Sequence, residues 1–406
     1  MADASLLEKS KTFCMLPWVH MNVATDGRAL PCCVSDWDRP VGNIRQASLR
    51  ELWNSEGMRR RRKDMLAGTE IAECRYCRHM ERGGFPSLRQ YANKRFAHHF
   101  PEVDKTGPDG SLQEMRLPFM DIRFSNVCNF RCRICYPMAS SSWHKEAGIL
   151  WGYSAPKVLT PTEDPKDMWR QIEPLIPDLE EIWFAGGEPL MNEEHYLILD
   201  LLAKNKLFNV QLRYNTNLSI MTHHGKDVMK MWDQFSSVEV KASLDGMSRR
   251  GEYLRKGMVW EQVLKNRKRM AEICPRTEFV IDATVCLMNA LHLPDFHREW
   301  LAGGLVNPGC WRPHLLESPE EYSIQALPAA FKRQVMEKYE CHIEGALKSL
   351  GSAQDEPIYR SILSFMSVRD KSGLLPKFRE KTLDLDRLRG EKFSEIFPEL
   401  ASLMRE

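Results

Sequence analysis

The sequence predicts an α/β fold built on a parallel sheet, preceded by a small α+β region rich in cysteine and followed by a helical extension. Three observations carry this reading. Strand-like and helix-like runs alternate between about residues 116 and 315. Eight of the twelve cysteines fall into two groups, one on either side of residue 100. Residues 316–406 read as helical and carry no metal motif.

Taken in chain order, residues 1–100 form the first expected domain. "FCMLPWVHMNVATDGRALPCC" reads as strand, Asp26-Gly27 turn and strand, a hairpin signal. "GNIRQASLRELWNSEGMRRRRKDMLAG" reads as one amphipathic helix, with Ser48 as N-cap and Glu51 three residues on. The loop "CRYC" follows. Residues 116–315 form the second domain. "PFMDIRFSNVCNF" and "EEIWFAGGEPLM" are its first strands, followed by strands at 209–217, 237–246 and 278–286. Between them lie helix-like stretches such as "YLILDLLAKNK", "KDVMKMWDQF" and "WEQVLKNRKRMAEI". This alternation implies a parallel sheet with right-handed crossovers. Residues 316–406 are expected to pack on that domain as a lid or substrate-side extension.

Composition bounds the function. A chain of 406 residues accommodates two or three domains. With 43% apolar and 28% charged residues it reads as globular, and a net charge of +2 selects no partner. No apolar run approaches the length of a membrane-spanning helix, and the first residues show no secretory leader. A cytoplasmic protein is therefore expected, with no membrane partner, and its clustered cysteines are expected to be metal ligands rather than disulfides. No internal repeat or low-complexity segment is evident. Charge is uneven: residues 1–100 hold 17 Lys+Arg against 11 Asp+Glu. The densest basic run, "RRRRK" at 59–63, reads either as a solvated helix face or as a patch for an anionic substrate or an electron-donor protein.

The densest chemistry lies at "CNFRCRIC", where Cys128, Cys132 and Cys135 share one loop at the C-terminal end of a strand. Soft thiolates this close favour zinc or an iron–sulfur cluster. A closed zinc site wants a fourth ligand, and at close range only His144 follows. An iron–sulfur cluster with three protein ligands leaves one iron open. Downstream, Gly186-Gly187-Glu188 ends the next strand, where paired glycines admit a ligand close to the backbone and the carboxylate accepts from an ammonium group. Cys274, Cys286, Cys310 and Cys341 read as small buried apolar residues.

Side-chain alternation adds an independent sign. One face of the strands carries Asp121, Arg123 and Ser125, then Gln211, Arg213 and Asn215, then Glu239, Lys241 and Ser243, then Asp282 and Thr284. The opposite face is apolar. The sheet is thus expected to enclose a polar interior, whose charges either form a salt-bridge layer or meet ligands near the upper end.

The C-x3-C-x2-C triple, with GGE about 50 residues later, resembles the signature of the radical S-adenosylmethionine (SAM) superfamily. The resemblance covers roughly residues 116–315 and implies a partial (β/α)6 barrel. It implies that Cys128, Cys132 and Cys135 hold a 4Fe–4S cluster whose fourth iron is chelated by SAM. It also implies that Gly186, Gly187 and Glu188 bind the SAM amino group, that Ser243 of "SLDG" contacts the cofactor, and that Asn215 or Asn217 lies near its ribose. Arg255 of "YLRKG" would meet the SAM carboxylate, and Ile134 would pack on adenine. The N-terminal pattern, Gly27-x4-Cys32 followed by a distant C-x2-C, resembles the twitch domain, a shortened relative of the SPASM domain. That resemblance implies an auxiliary 4Fe–4S cluster on Cys14, Cys32, Cys74 and Cys77; structural zinc stays open, and Cys33 is a spare able to displace Cys32. In the commonest arrangement this domain follows the barrel, and here it precedes it.

The implied chemistry is reductive cleavage of SAM to a 5′-deoxyadenosyl radical, which abstracts hydrogen from an unactivated carbon. A reducing partner such as flavodoxin or ferredoxin is implied with it. For the substrate, one reading is oxidation, cross-linking or rearrangement of a peptide or small metabolite. A second is modification or isomerisation of a nucleoside or of a base in nucleic acid, including DNA. A third is a non-enzymatic iron–sulfur or zinc protein.

Overall fold

The computed structural model describes residues 3–82 and 86–405 and shows a mixed α/β fold with a central parallel sheet and many helices. It divides into two compact units: residues up to 127 with 158–213, and 128–157 with 214 onward. No helix among the described residues is long and apolar enough to cross a membrane.

In the first unit the expected hairpin forms. His20–Val23 pairs antiparallel with Arg28–Leu30, and Gly27 makes the turn at φ +85°. The hairpin does not stand apart from the strands that follow. His20–Val23 also pairs in parallel with Phe119–Ile122, register Asn22 to Asp121, and Phe119–Ile122 pairs in parallel with Glu181–Phe184. The compact unit therefore joins segments that the sequence assigns to two domains.

The helix read as one piece is two. Leu49–Trp53 starts at Ser48 with the expected capping box to Glu51, and Glu56–Leu66 starts afresh at Ser55, whose hydroxyl accepts from the Met58 N–H. Asn54 interrupts them: its side chain bonds the backbone of Leu112 in both directions.

The basic run is split: Arg60 and Lys63 are exposed and Arg59 half-exposed, as a solvated helix face expects, while two of its arginines turn inward. Arg61 and Arg62 are buried. Arg62 donates to the carbonyls of Pro17, Trp53 and Gly110 and to Asn54, and lies 4.6 Å over the Trp53 ring. With no carboxylate beside it, burial pulls its pKa down to about 9. Arg61 pairs with Glu73, Arg60 with the same carboxylate at 2.7 Å, and Arg59 with Asp109 at 2.7 Å. The two buried arginines tie the small domain together.

The polar strand faces pair internally. In the first unit Asp121 holds Arg123 at 2.8 Å, and buried Glu181 accepts from the Tyr91 hydroxyl at 2.6 Å and lies 3.4 Å from Arg213. In the second unit Val238–Ala242 and Glu278–Ile281 pair in parallel, and Glu239 takes both Lys241 at 3.4 Å and Arg312 at 3.0 Å. Ile122, Phe124, Leu212, Val240, Ala242 and Ile281 on the opposite faces are buried, as alternation requires. The C-terminal segment is helical, with Ala329–Cys341, Glu356–Val368 and Leu375–Arg389 as its longest helices.

Candidate functional site

The three-cysteine loop is held by its own backbone. The N–H groups of Arg131 and Arg133 donate to the carbonyls of Lys256 and Leu254, each at 2.8 Å, so the loop runs along residues 254–256 like a short strand pair. Gly257, at φ +111°, lets that pair close: a Cβ there would sit 2.8 Å from the Asn129 carbonyl. Behind the loop, "SSSW" at 140–143 satisfies it. Ser140 donates to the Phe130 carbonyl at 2.5 Å, Ser142 to that of Cys128 at 2.6 Å and the Trp143 indole to that of Cys132 at 2.9 Å, while the Cys128 N–H donates to Ser141. These bonds pair the polar backbone of the loop along most of its length.

Arginines clamp the loop from the C-terminal segment. The Arg133 side chain is fully buried, stacks 3.6 Å over Tyr253, and bonds Asp386 at 2.5 Å and Glu391 at 2.7 Å. Arg389 reaches the Arg131 carbonyl at 2.7 Å and pairs with Glu146, which also holds Arg131 at 2.6 Å. The segment expected as a lid therefore acts in this structure as a brace for the cysteine loop.

Arg255 lies 3.9 Å from the Cys132 sulfur and makes a two-point pair with Asp245, both contacts at 2.8 Å. Burial opposes its charge, but Asp245 and a Cys132 thiolate outweigh this and raise its pKa further. Asp245 also accepts from the Thr284 N–H at 2.7 Å. Burial raises the Cys132 thiol, with Arg255 working against the shift, and burial likewise raises Cys135.

The other expected cofactor residues divide. Asn217 donates to Asn129 in the loop at 2.8 Å, and Ser219 completes that network. Asn215 instead donates to Asp282 at 2.7 Å, and Asp282 meets His314 at 3.0 Å. Ser243 follows the strand Val238–Ala242 with its N–H on the Thr216 carbonyl at 2.8 Å, and Ile134 is half-buried in the loop. In the first unit, the Gly187 N–H bonds the Ser125 carbonyl and the Glu188 N–H that of Val127, the residue before Cys128. The glycines are required: a Cβ on Gly187 would lie 2.2 Å from the Val127 carbonyl, and Gly186 sits at φ +123°. Glu188 is buried, and its carboxylate accepts from the Leu190 N–H at 3.2 Å.

The first unit gathers the remaining thiols. Burial raises Cys14, Cys32, Cys74 and Cys77, with mutual thiolate repulsion adding to the shift at Cys14, Cys32 and Cys74. Cys32 feels Cys33, Cys74, Cys14 and Cys77 together. Burial, with the Asp121 carboxylate adding to it, pushes the Cys33 thiol up to about 12. The spacing bears on the metal. Thiolates around tetrahedral zinc lie about 3.8 Å apart, from bonds of about 2.3 Å. Among the described residues no three thiols of either set lie within 4.8 Å of one another.

Sequence reasoning missed the partners rather than the ligands. Asp245 was in view inside "SLDG", and Asn129 lies between the first two cysteines. The pairing of Arg133 with Asp386 joins residues 253 apart and leaves no local signal.

Comparison with known proteins agrees with this geometry. The radical SAM superfamily profile matches residues 122–287, and that of an iron–sulfur cluster-binding domain, SPASM, matches residues 14–78. No curated protein sequence matches the chain. Among solved structures, native anSMEcpe with bound AdoMet and Cp18Cys peptide is 16% identical over 54% of this chain and 59% of that one, with a TM-score of 0.36. TYW1 with a lysine–pyruvate adduct bound is 12% identical over 56% and 72%, with a TM-score of 0.30. The chain thus spans less than two thirds of anSMEcpe. Residues 122–287 thus form a radical SAM domain and residues 14–78 a SPASM-type iron–sulfur cluster-binding domain, and these two domains imply 4Fe–4S clusters and SAM.

Proposed function

We propose that this enzyme abstracts hydrogen from an unactivated carbon of a peptide or small metabolite, leading to oxidation, cross-linking or rearrangement. Cys128, Cys132 and Cys135 would hold the open cluster, and Cys14, Cys32, Cys74 and Cys77 the fully ligated one. When bound, the first cluster and SAM, with an electron from a flavodoxin- or ferredoxin-like donor, supply the 5′-deoxyadenosyl radical that does the abstraction.

The chain's own residues bind and orient. Glu188 would accept from the SAM ammonium group, and Arg255 would meet the carboxylate. Asp245 holds that guanidinium in place beside Cys132. Gly186 and Gly187 keep the strand end free of side chains, Asn217 is tied to the loop through Asn129, and Ser243, Asn215 and Ile134 would complete the nucleoside end. The observation that carries the reading is a backbone-locked loop of three thiols with a fixed arginine against one of them. The nucleic-acid reading, which a basic N-terminal domain would permit, has less support because Arg61 and Arg62 of the basic run are buried within that domain.

Glu188→Gln tests the assignment. The amide oxygen keeps the bond to the Leu190 N–H and removes only the charge, so SAM affinity should fall about tenfold or more, because a neutral acceptor binds an ammonium less strongly. Unchanged SAM affinity would remove Glu188 from the site.

A further inference from the structure

Outside the cysteine sets, one group of metal-ligating side chains is assembled in the first unit. His98 and His99 are consecutive in the 3-10 helix Ala97–Lys105, and both turn Nε2 onto Glu180. His98 Nε2 lies 2.9 Å from each carboxylate oxygen and His99 Nε2 lies 2.7 Å from Oε1. Among the described residues this is the one group of at least three His, Cys, Asp or Glu whose ligand atoms all lie within 4.8 Å of one another.

We infer that His98, His99 and Glu180 form a third metal site, which takes one divalent cation of the zinc class. The donor set selects the class. Two imidazoles with one carboxylate suit zinc, cobalt or nickel, whereas magnesium and calcium ask for oxygen throughout. The geometry is close to what an ion needs. Bonds of about 2.0–2.2 Å at a tetrahedral centre hold donors about 3.4 Å apart. Each donor has only to retreat by roughly half an ångström from its hydrogen-bonded position to admit the ion.

The frame is fixed on both sides. The two histidines are adjacent on one short helix, their ring centroids 4.2 Å apart. The Glu180 N–H is anchored on the Pro118 carbonyl at 2.8 Å, and the Glu180 carbonyl accepts from Arg95. Arg95 is the competing cation, 3.8 Å from the other Glu180 oxygen, and it has a closer carboxylate in Glu181 at 3.3 Å. His98 is half-exposed, which leaves the fourth position to water. Three protein ligands with one open position make an exchangeable site. A metal there ties the helix at 97–105 to the start of strand Glu181–Phe184.

The test uses the cluster-loaded protein dialysed anaerobically against micromolar zinc chloride, with iron and zinc both counted. Wild type should hold about one zinc more than His98→Ala with His99→Ala, at equal iron. Glu180→Gln keeps the side-chain shape and one acceptor oxygen and should weaken zinc binding by about tenfold or more, as loss of an anionic ligand does. Circular dichroism confirms the fold of each variant. Equal zinc in wild type and the double variant at matched iron would overturn the site, and so would zinc binding that Glu180→Gln leaves unchanged.

Discussion

Cys128, Cys132 and Cys135 occupy eight consecutive residues, whereas Cys14, Cys32, Cys74 and Cys77 come from a hairpin and a distant C-x2-C segment. The first set sits on a loop whose carbonyls are taken by Ser140, Ser142 and Trp143 and whose amides pair with residues 254–256. The second has no such shared frame: its thiols meet because a small domain folds around them. The difference separates two jobs for a metal. On the proposed ligand sets, the protein would support the metal in the triple, and the metal would help to support the protein in the quartet.

The sharpest way to break that contrast is to remove ligands from each set and compare stability with iron. Cys74→Ala with Cys77→Ala should lose about four of about eight irons and melt at a much lower temperature, because bound metal can contribute about 10 kcal/mol to a small domain. Replacing Cys128, Cys132 and Cys135 by Ala should lose the same amount of iron with little change in melting. Equal melting losses in both variants would erase the distinction.

The brace behind the triple sets the next effect. Arg133→Ala leaves Asp386 and Glu391 without their buried partner, and breaking a buried pair in this way costs about 3–5 kcal/mol. Denaturant unfolding measures it. A loss below about 1 kcal/mol would show that the C-terminal helix does not hold the loop.

Acid should then separate regions of the second unit. Burial lowers His292 and His342 to about 4 and His297 to about 3, and His297 is bonded to the Tyr359 hydroxyl at 3.0 Å. Below the ordinary value of about 6.5 the unfolded chain binds protons that these folded histidines refuse. Stability is therefore whole above that value and lost as pH falls toward 4, with each histidine adding a slope of about 1.4 kcal/mol per pH unit. His297→Gln should flatten the profile, and an unchanged slope would exclude His297 as a source.

What the sequence disclosed follows the same contrast. The triple, the GGE strand end, the Asp26-Gly27 hairpin and the Ser48 cap were all readable because each is settled within a few residues. The parallel pairing of His20–Val23 with Phe119–Ile122 and the burial of Arg61 and Arg62 were not, because both depend on partners distant in the chain. The arginines show the risk most clearly. A basic run looks like surface until backbone carbonyls from Pro17 and Gly110 are brought to it. Asp245 lay in plain view, but only the fold shows that it holds Arg255.

The smallest effect belongs to Cys33. With Cys32 as the fourth ligand, Cys33→Ser should keep about eight irons and change stability by less than about 1 kcal/mol. Loss of about four irons would make Cys33 a ligand in place of Cys32.

The central claim is that the three-cysteine loop supports reductive cleavage of SAM. The direct measurement is 5′-deoxyadenosine released from SAM by anaerobic, dithionite-reduced protein carrying about eight irons. Wild type and Cys33→Ser should both form it, slowly without the true substrate, and the variant with Cys128, Cys132 and Cys135 replaced by Ala should form none. Fully loaded wild type that releases no more 5′-deoxyadenosine than that variant would contradict the account.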